Sequence, residues 1–168
     1  FGLILPILPY YAQRLGAGGL KFGALVGIYS AMQFVATQVL GRLSDRVGRR
    51  PILLTTIFIS AAGYTLFAFA GSYGVLLLAR MISGFSGGNI SVAQAYVADV
   101  TEHSERSRGM GFIGAAFGLG FIVGPALGGL AAHYAGPAAP AWVAVSLCAA
   151  NFVSAYFILP ESLPAERR

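Results

Sequence analysis

Residues 109–132 read GMGFIGAAFGLGFIVGPALGGLAA, with no charged side chain and with glycine at 109, 111, 114, 118, 120, 124, 128 and 129. A helix crosses the hydrocarbon core of a bilayer with about 20 predominantly apolar residues, so this stretch is long enough to span. Lipid contact alone does not call for so much glycine. Gly114 and Gly118 fall on one face and Gly120, Gly124 and Gly128 on another, which lets neighbouring helices approach closely on two sides. Pro125 offers no N–H to the carbonyl of Phe121 and is expected to bend the helix there. The predicted span is 110–132, and comparable runs flank it at 22–40, 51–71, 73–98 and 141–159. Residues 1–12, FGLILPILPYYA, are apolar but too short to cross. They carry no basic leader and no small-residue cleavage site, and are read as the end of an incomplete first helix.

The composition agrees with an integral membrane protein. The 168 residues are 57% hydrophobic and only 10% charged. Mean hydropathy is +0.73, whereas soluble domains carry about 25% charged residues. A soluble fold is excluded, and the spans leave no room for a separate soluble catalytic domain. The runs lack the alternation of barrel strands, so the expected class is all-α. The formal charge of +5 does not point to nucleic acid, because the basic residues sit between apolar runs without interleaved aromatics. Cys148 lies alone in an apolar run, so no disulfide frame and no paired metal-ligand spacing is present. No cofactor is implied.

Arginine placement gives an orientation. Arg42, Arg46, Arg49 and Arg50 lie between the second and third spans, Arg106 and Arg108 between the fourth and fifth, and Arg167 and Arg168 after the sixth. Only Arg14 and Lys21 fall on the opposite side, so the arginine-rich side, with both ends of the bundle, is assigned to the cytoplasm.

Three segments carry candidate chemistry. In GRLSDRVGRRP, residues 41–51, Asp45 and Arg49 stand four apart, one helical turn, and Gly48 permits a tight reversal. Arg80 is the only charge deep in an apolar run. At a cost of about 2.5 to 3.5 kcal/mol for a charge at the bilayer centre, it should face a cavity or a partner, or else snorkel to the interface. Gly84, Ser91 and Gln94 share its face, and Tyr29 and Gln33 form a second, shorter polar stripe. These six residues are the candidate substrate-cavity set.

Two motif matches are discounted. Gly109, Gly111 and Gly114 fit GxGxxG, but neither a preceding strand nor a following acidic residue accompanies them. Gly84, Ser86 and Gly87 fit a GxSG pattern that resembles rhomboid intramembrane proteases. A serine nucleophile needs a histidine base within reach, and 141–159 contains none, while His103 and His133 lie in connections on opposite sides.

Taken together, the chain resembles the drug/proton antiporter branch of the major facilitator superfamily, and within it the tetracycline/proton antiporters. Gly41, Asp45, Arg46, Gly48 and Arg49 match the family's signature between helices two and three. Arg80 and Gly84 match its helix-four signature, and Gly111, Gly120, Gly124, Pro125, Gly128 and Gly129 match the antiporter pattern Gx8Gx3GPx2GG. The resemblance implies the N-terminal six-helix half of a twelve-helix fold in the inner membrane, with a C-terminal half as partner. Asp45, Arg46, Arg49 and Asp99 would form a cytoplasmic charge cluster steadying the outward-facing state. Arg80 would handle substrate or protons. The implied activity is proton-coupled export of a small amphipathic drug, with a facilitator or a sugar or metabolite exporter of the same fold as the alternative. One departure stands out: tetracycline exporters usually carry an acidic residue in helix three where this chain has Gly63.

Overall fold

The computed structural model describes residues 2–163. Its elements are α1 (Leu8–Arg14), α2 (Gly19–Val47), α3 (Arg49–Ala68), α4 (Tyr73–Gly87), α5 (Asn89–Val100), α6 (Arg106–Ala135) and α7 (Ala139–Ile158). No strand occurs among the described residues. Tyr73–Val100 forms one span, and with α2, α3, α6 and α7 it makes five helices long and apolar enough to cross a membrane.

Several elements differ from the sequence reading. The first helical residues are Leu8–Arg14 rather than 1–12. Residues 2–7 are turns, closed by bonds from the Ile7 and Leu8 amides to the Ile4 carbonyl. Pro6 and Pro9 lack the donors that a continuous helix needs there. α2 continues through the polar segment to Val47, so Asp45 sits in its last turn and Arg49 begins the next helix. Gly48, between them, has φ of 113°, a conformation that disfavours any residue with a Cβ. The span predicted at 73–98 is interrupted at Gly88, where bonds from Gly88 N to Phe85 O and from Ser91 N to Gly88 O tighten the turn. α6 runs without interruption through Pro125.

α2 packs on α4 and α5, α3 on α4 and α7, and α6 on α7 and α5. Two apolar clusters hold this bundle. One joins Ile4, Leu8, Leu25, Phe67, Leu76 and Ala141, and the other joins Ala36, Leu40, Ile52, Leu53 and Val92. Outside them, Phe34, Ile122 and Phe157 are 70%, 74% and 79% exposed. Large apolar groups can stay outward because lipid, unlike water, does not drive them inside.

Glycines decide where helix backbones meet. A Cβ on Gly84 would stand 2.5 Å from the Tyr29 carbonyl oxygen, and one on Gly88 would stand 2.6 Å from the Ala36 Cβ. The α4–α5 span therefore lies directly on α2. Gly124 and Gly128, the only buried residues of α6, pack in the same way against Gly2 and Leu3. A Cβ on Gly111, Gly114, Gly118 or Gly129 would meet nothing within 4 Å. Of the two glycine faces, one is thus occupied by the chain's own first residues.

Candidate functional site

At the arginine-rich end, Arg49 is 7% exposed although it carries a full charge. Its Nη1 bonds Asp45 Oδ1 at 2.5 Å and donates to Ser44 Oγ at 2.6 Å, while its Nε donates to Asp99 Oδ2 at 3.1 Å. One guanidinium thereby ties the end of α2, the start of α3 and the end of α5. The pair with Asp45 crosses the Gly48 reversal instead of running along one helical turn, because α2 ends before Arg49. Asp99 is half as exposed as Asp45, 30% against 59%, so its attraction is less screened by water. Arg46 is exposed and pairs with no acid among the described residues, so the structure leaves it outside the cluster. Arg167 and Arg168 lie outside the described residues.

A residue that the sequence reading did not single out completes this end. Glu161, just beyond α7, accepts from the amides of Arg49 at 2.9 Å and Arg50 at 3.3 Å. Its carboxylate caps α3, whose Gly48 has no side chain to do so. Ser162 Oγ donates to Asp99 Oδ2 at 3.3 Å. No sequence spacing signals these contacts, since Glu161 is 112 positions from Arg49.

Arg80 lies deep between α2 and α4, only 2% exposed. Its Nε donates to the Leu25 carbonyl at 3.3 Å, and its guanidinium carbon sits 4.3 Å from the Tyr29 ring centroid. It neither snorkels outward nor lines the cleft directly. Tyr29, itself buried, stands between the charge and a cleft of about 320 Å³ whose walls include Gln33, Ser60, Tyr64, Ser83, Ser86 and Asn89. Phe117 and Phe121 of α6 close its far side.

Of the candidate cavity residues, Tyr29 and Gln33 reach this cleft. Gly84 and Ser91 instead form the seam with α2. Gly84 presses on the Tyr29 backbone, and Ser91 Oγ donates to the Thr37 carbonyl at 3.2 Å. Gln94 is exposed. The spacing predicts one face for Arg80, Gly84, Ser91 and Gln94; the structure divides it at Gly88, turns Arg80, Gly84 and Ser91 toward α2 and leaves Gln94 exposed. The cleft's α3 wall, Ser60 and Tyr64, went unnoticed because isolated hydroxyls in a span read as ordinary packing.

Two further observations bear on chemistry. Ser60 Oγ donates to Ser86 Oγ at 2.8 Å, and Ser86 donates to the Ser83 carbonyl at 3.0 Å. Ser86 is thus held in a hydroxyl chain, and neither of these bonds is to the histidine that would activate a serine nucleophile. A Cβ on Gly63 would stand 2.6 Å from Ser83 Oγ and 3.2 Å from the Ser83 amide nitrogen, so a side chain there would have to turn the Ser83 hydroxyl aside and press on α4.

The whole sequence, residues 1–168, matches the Major Facilitator Superfamily. The chain belongs to that superfamily. This facilitator chain is 40% identical over 171 residues to the class D tetracycline resistance protein of Salmonella ordonez, spanning 99% of itself and 43% of that relative. The class B tetracycline resistance protein of Escherichia coli is 37% identical over 164 residues, with 96% and 41% covered. The crystal structure of the human organic anion transporter MFSD10 (TETRAN) matches with a TM-score of 0.78 at 36% identity, over 96% of this facilitator chain and 38% of that one. The facilitator chain spans less than half the length of these relatives. It is a multi-pass membrane protein, and its fold is the helical fold of the superfamily.

Proposed function

We propose that this chain is the N-terminal half of a proton-coupled exporter of small amphipathic compounds, working by alternating access with a second six-helix half. The observation that carries this reading is the bridge from Arg49 to Asp45 and Asp99, which fastens the ends of α2, α3 and α5, three of the helices that also line the polar cleft. Such a bridge is a breakable fastening. Closed, it holds the arginine-rich mouth together; parted, it frees α5 to move against α2 and α3. The excess of arginine at that mouth supports its placement on the cytoplasmic face of the inner membrane, with both ends of the bundle inside. Similarity to tetracycline resistance proteins supports export as the direction.

Proton coupling needs an acid that titrates within the membrane. The described carboxylates, Asp45, Asp99, Glu102, Glu105 and Glu161, all stand at helix ends or in connections. The coupling acid is therefore assigned to sequence outside these residues. The test is transport by the full-length protein in proteoliposomes with an imposed pH gradient. Tetracycline uptake that rises with an outward proton driving force supports the reading; uptake indifferent to the gradient leaves a facilitator.

A second reading of the cargo, an amphipathic organic anion, is favoured by Arg80. It is the one charged side chain at membrane depth among the described residues, and it lies behind Tyr29 at the cleft. Gly63 supplies no acid on α3, a group that a cationic cargo would use. Competition between tetracycline and a fluorescent aromatic carboxylate in the same vesicles distinguishes the two cargoes.

A further inference from the structure

We infer that Glu161 is a positioning residue of the cytoplasmic fastening, coupling the segment that leaves α7 to the state of Arg49. The inference rests on the transporter reading above. Three contacts converge on it. The Glu161 carboxylate receives the first two amides of α3, at 2.9 Å and 3.3 Å, and so fixes where that helix begins. The first of those amides belongs to Arg49 itself, whose guanidinium must reach Asp45 on one side and Asp99 on the other. The neighbouring Ser162 hydroxyl donates to the same Asp99 oxygen that Arg49 holds.

The surroundings are shaped for this carboxylate. A Cβ on Gly48 would stand 2.5 Å from Glu161 Oε2, so the glycine lets the carboxylate lie directly on the reversal, where a side chain would push it aside. Tyr96 of α5 donates through its hydroxyl to the Pro160 carbonyl at 3.1 Å, and Arg50 donates to the Tyr156 carbonyl at 2.7 Å. The exit from α7 is therefore stitched to both α3 and α5. A pull on that exit draws Glu161 from the α3 amides and loosens the frame that aims Arg49. A chain continuing toward a second half supplies such a pull, so movement of one half is felt at the fastening of the other.

The experiment uses the full-length protein in inside-out vesicles and compares Glu161→Ala, Glu161→Gln and Asp99→Asn. Trypsin cleavage at Arg46 and Arg49 reports opening of the α2–α3 connection without any need for a transported substrate. Loss of a charge-assisted cap should speed this cleavage about tenfold for Glu161→Ala and about threefold for Glu161→Gln, which keeps an acceptor. The same variants should lose transport rate with KM unchanged. The double variant Glu161→Ala/Asp99→Asn should be no worse than Asp99→Asn alone within about twofold, since both act through Arg49. Cleavage at the wild-type rate in Glu161→Ala overturns the inference, and so do losses that multiply in the double variant. If the wild type moves no substrate while Glu161→Ala still opens the connection, it is the transporter reading that fails and not this one.

Discussion

Arg80 and Arg49 show how a membrane protein keeps a buried guanidinium in two different ways. Arg49 is neutralised by carboxylates, whereas Arg80 is held by an aromatic face and a backbone carbonyl. A cation on a desolvated ring contributes about 2 kcal/mol, and the stack requires a planar group. Arg80→Lys should therefore insert normally yet retain under about a tenth of wild-type efflux, and Arg80→Ala should lose it altogether. Both are checked by vesicle transport beside the membrane-fraction yield. Within the fastening, Asp99→Asn should cost more transport than Asp45→Asn, because the more exposed partner contributes only about 0 to 1 kcal/mol. Efflux assays at matched protein levels decide the order. Gly63→Asp should lower thermal stability in detergent instead of adding a working acid, since its Cβ alone meets Ser83 at 2.6 Å.

Among the elements, the α4–α5 span against α2 is the tightest seam. Gly88→Ala must displace the Ala36 methyl and the backbone beside it, and overpacking of this kind costs about 1 to 3 kcal/mol. Gly114→Ala, with open space around it, should leave the unfolding midpoint unchanged. Scanning fluorimetry of the purified variants separates the two. The positions of the spans were legible in the sequence because about 20 apolar residues have few alternatives in a bilayer. The interruption at Gly88 was not legible. Gly87 and Gly88 are tolerated in a continuous membrane helix, and only the contact with Ala36 and the Gln33 bond to the Gly87 carbonyl, at 3.3 Å, favour the break. Likewise the spacing of Arg80, Gly84 and Ser91 announced one face, but a face of small residues serves a seam as well as a cavity.

For the whole molecule, the chain spans only 43% of the class D tetracycline resistance protein, and the open glycine face of α6 is unmatched within the bundle. Residues 1–168 expressed alone should insert and yet move no substrate, while co-expression with the remainder of the full-length protein should restore efflux in vesicles. The Asp45–Arg49 pair and the glycine pattern were readable because each lies within one short segment. The cap from Glu161 was not, because folding brings together positions 112 residues apart. That separation also sets an order of events at the ribosome. Arg49, at the start of α3, is made long before its capping acid has been synthesised. The cap is therefore among the last parts of the bundle to be finished, and a nascent chain stalled before residue 161 holds all of α1–α7 with the start of α3 still unsealed.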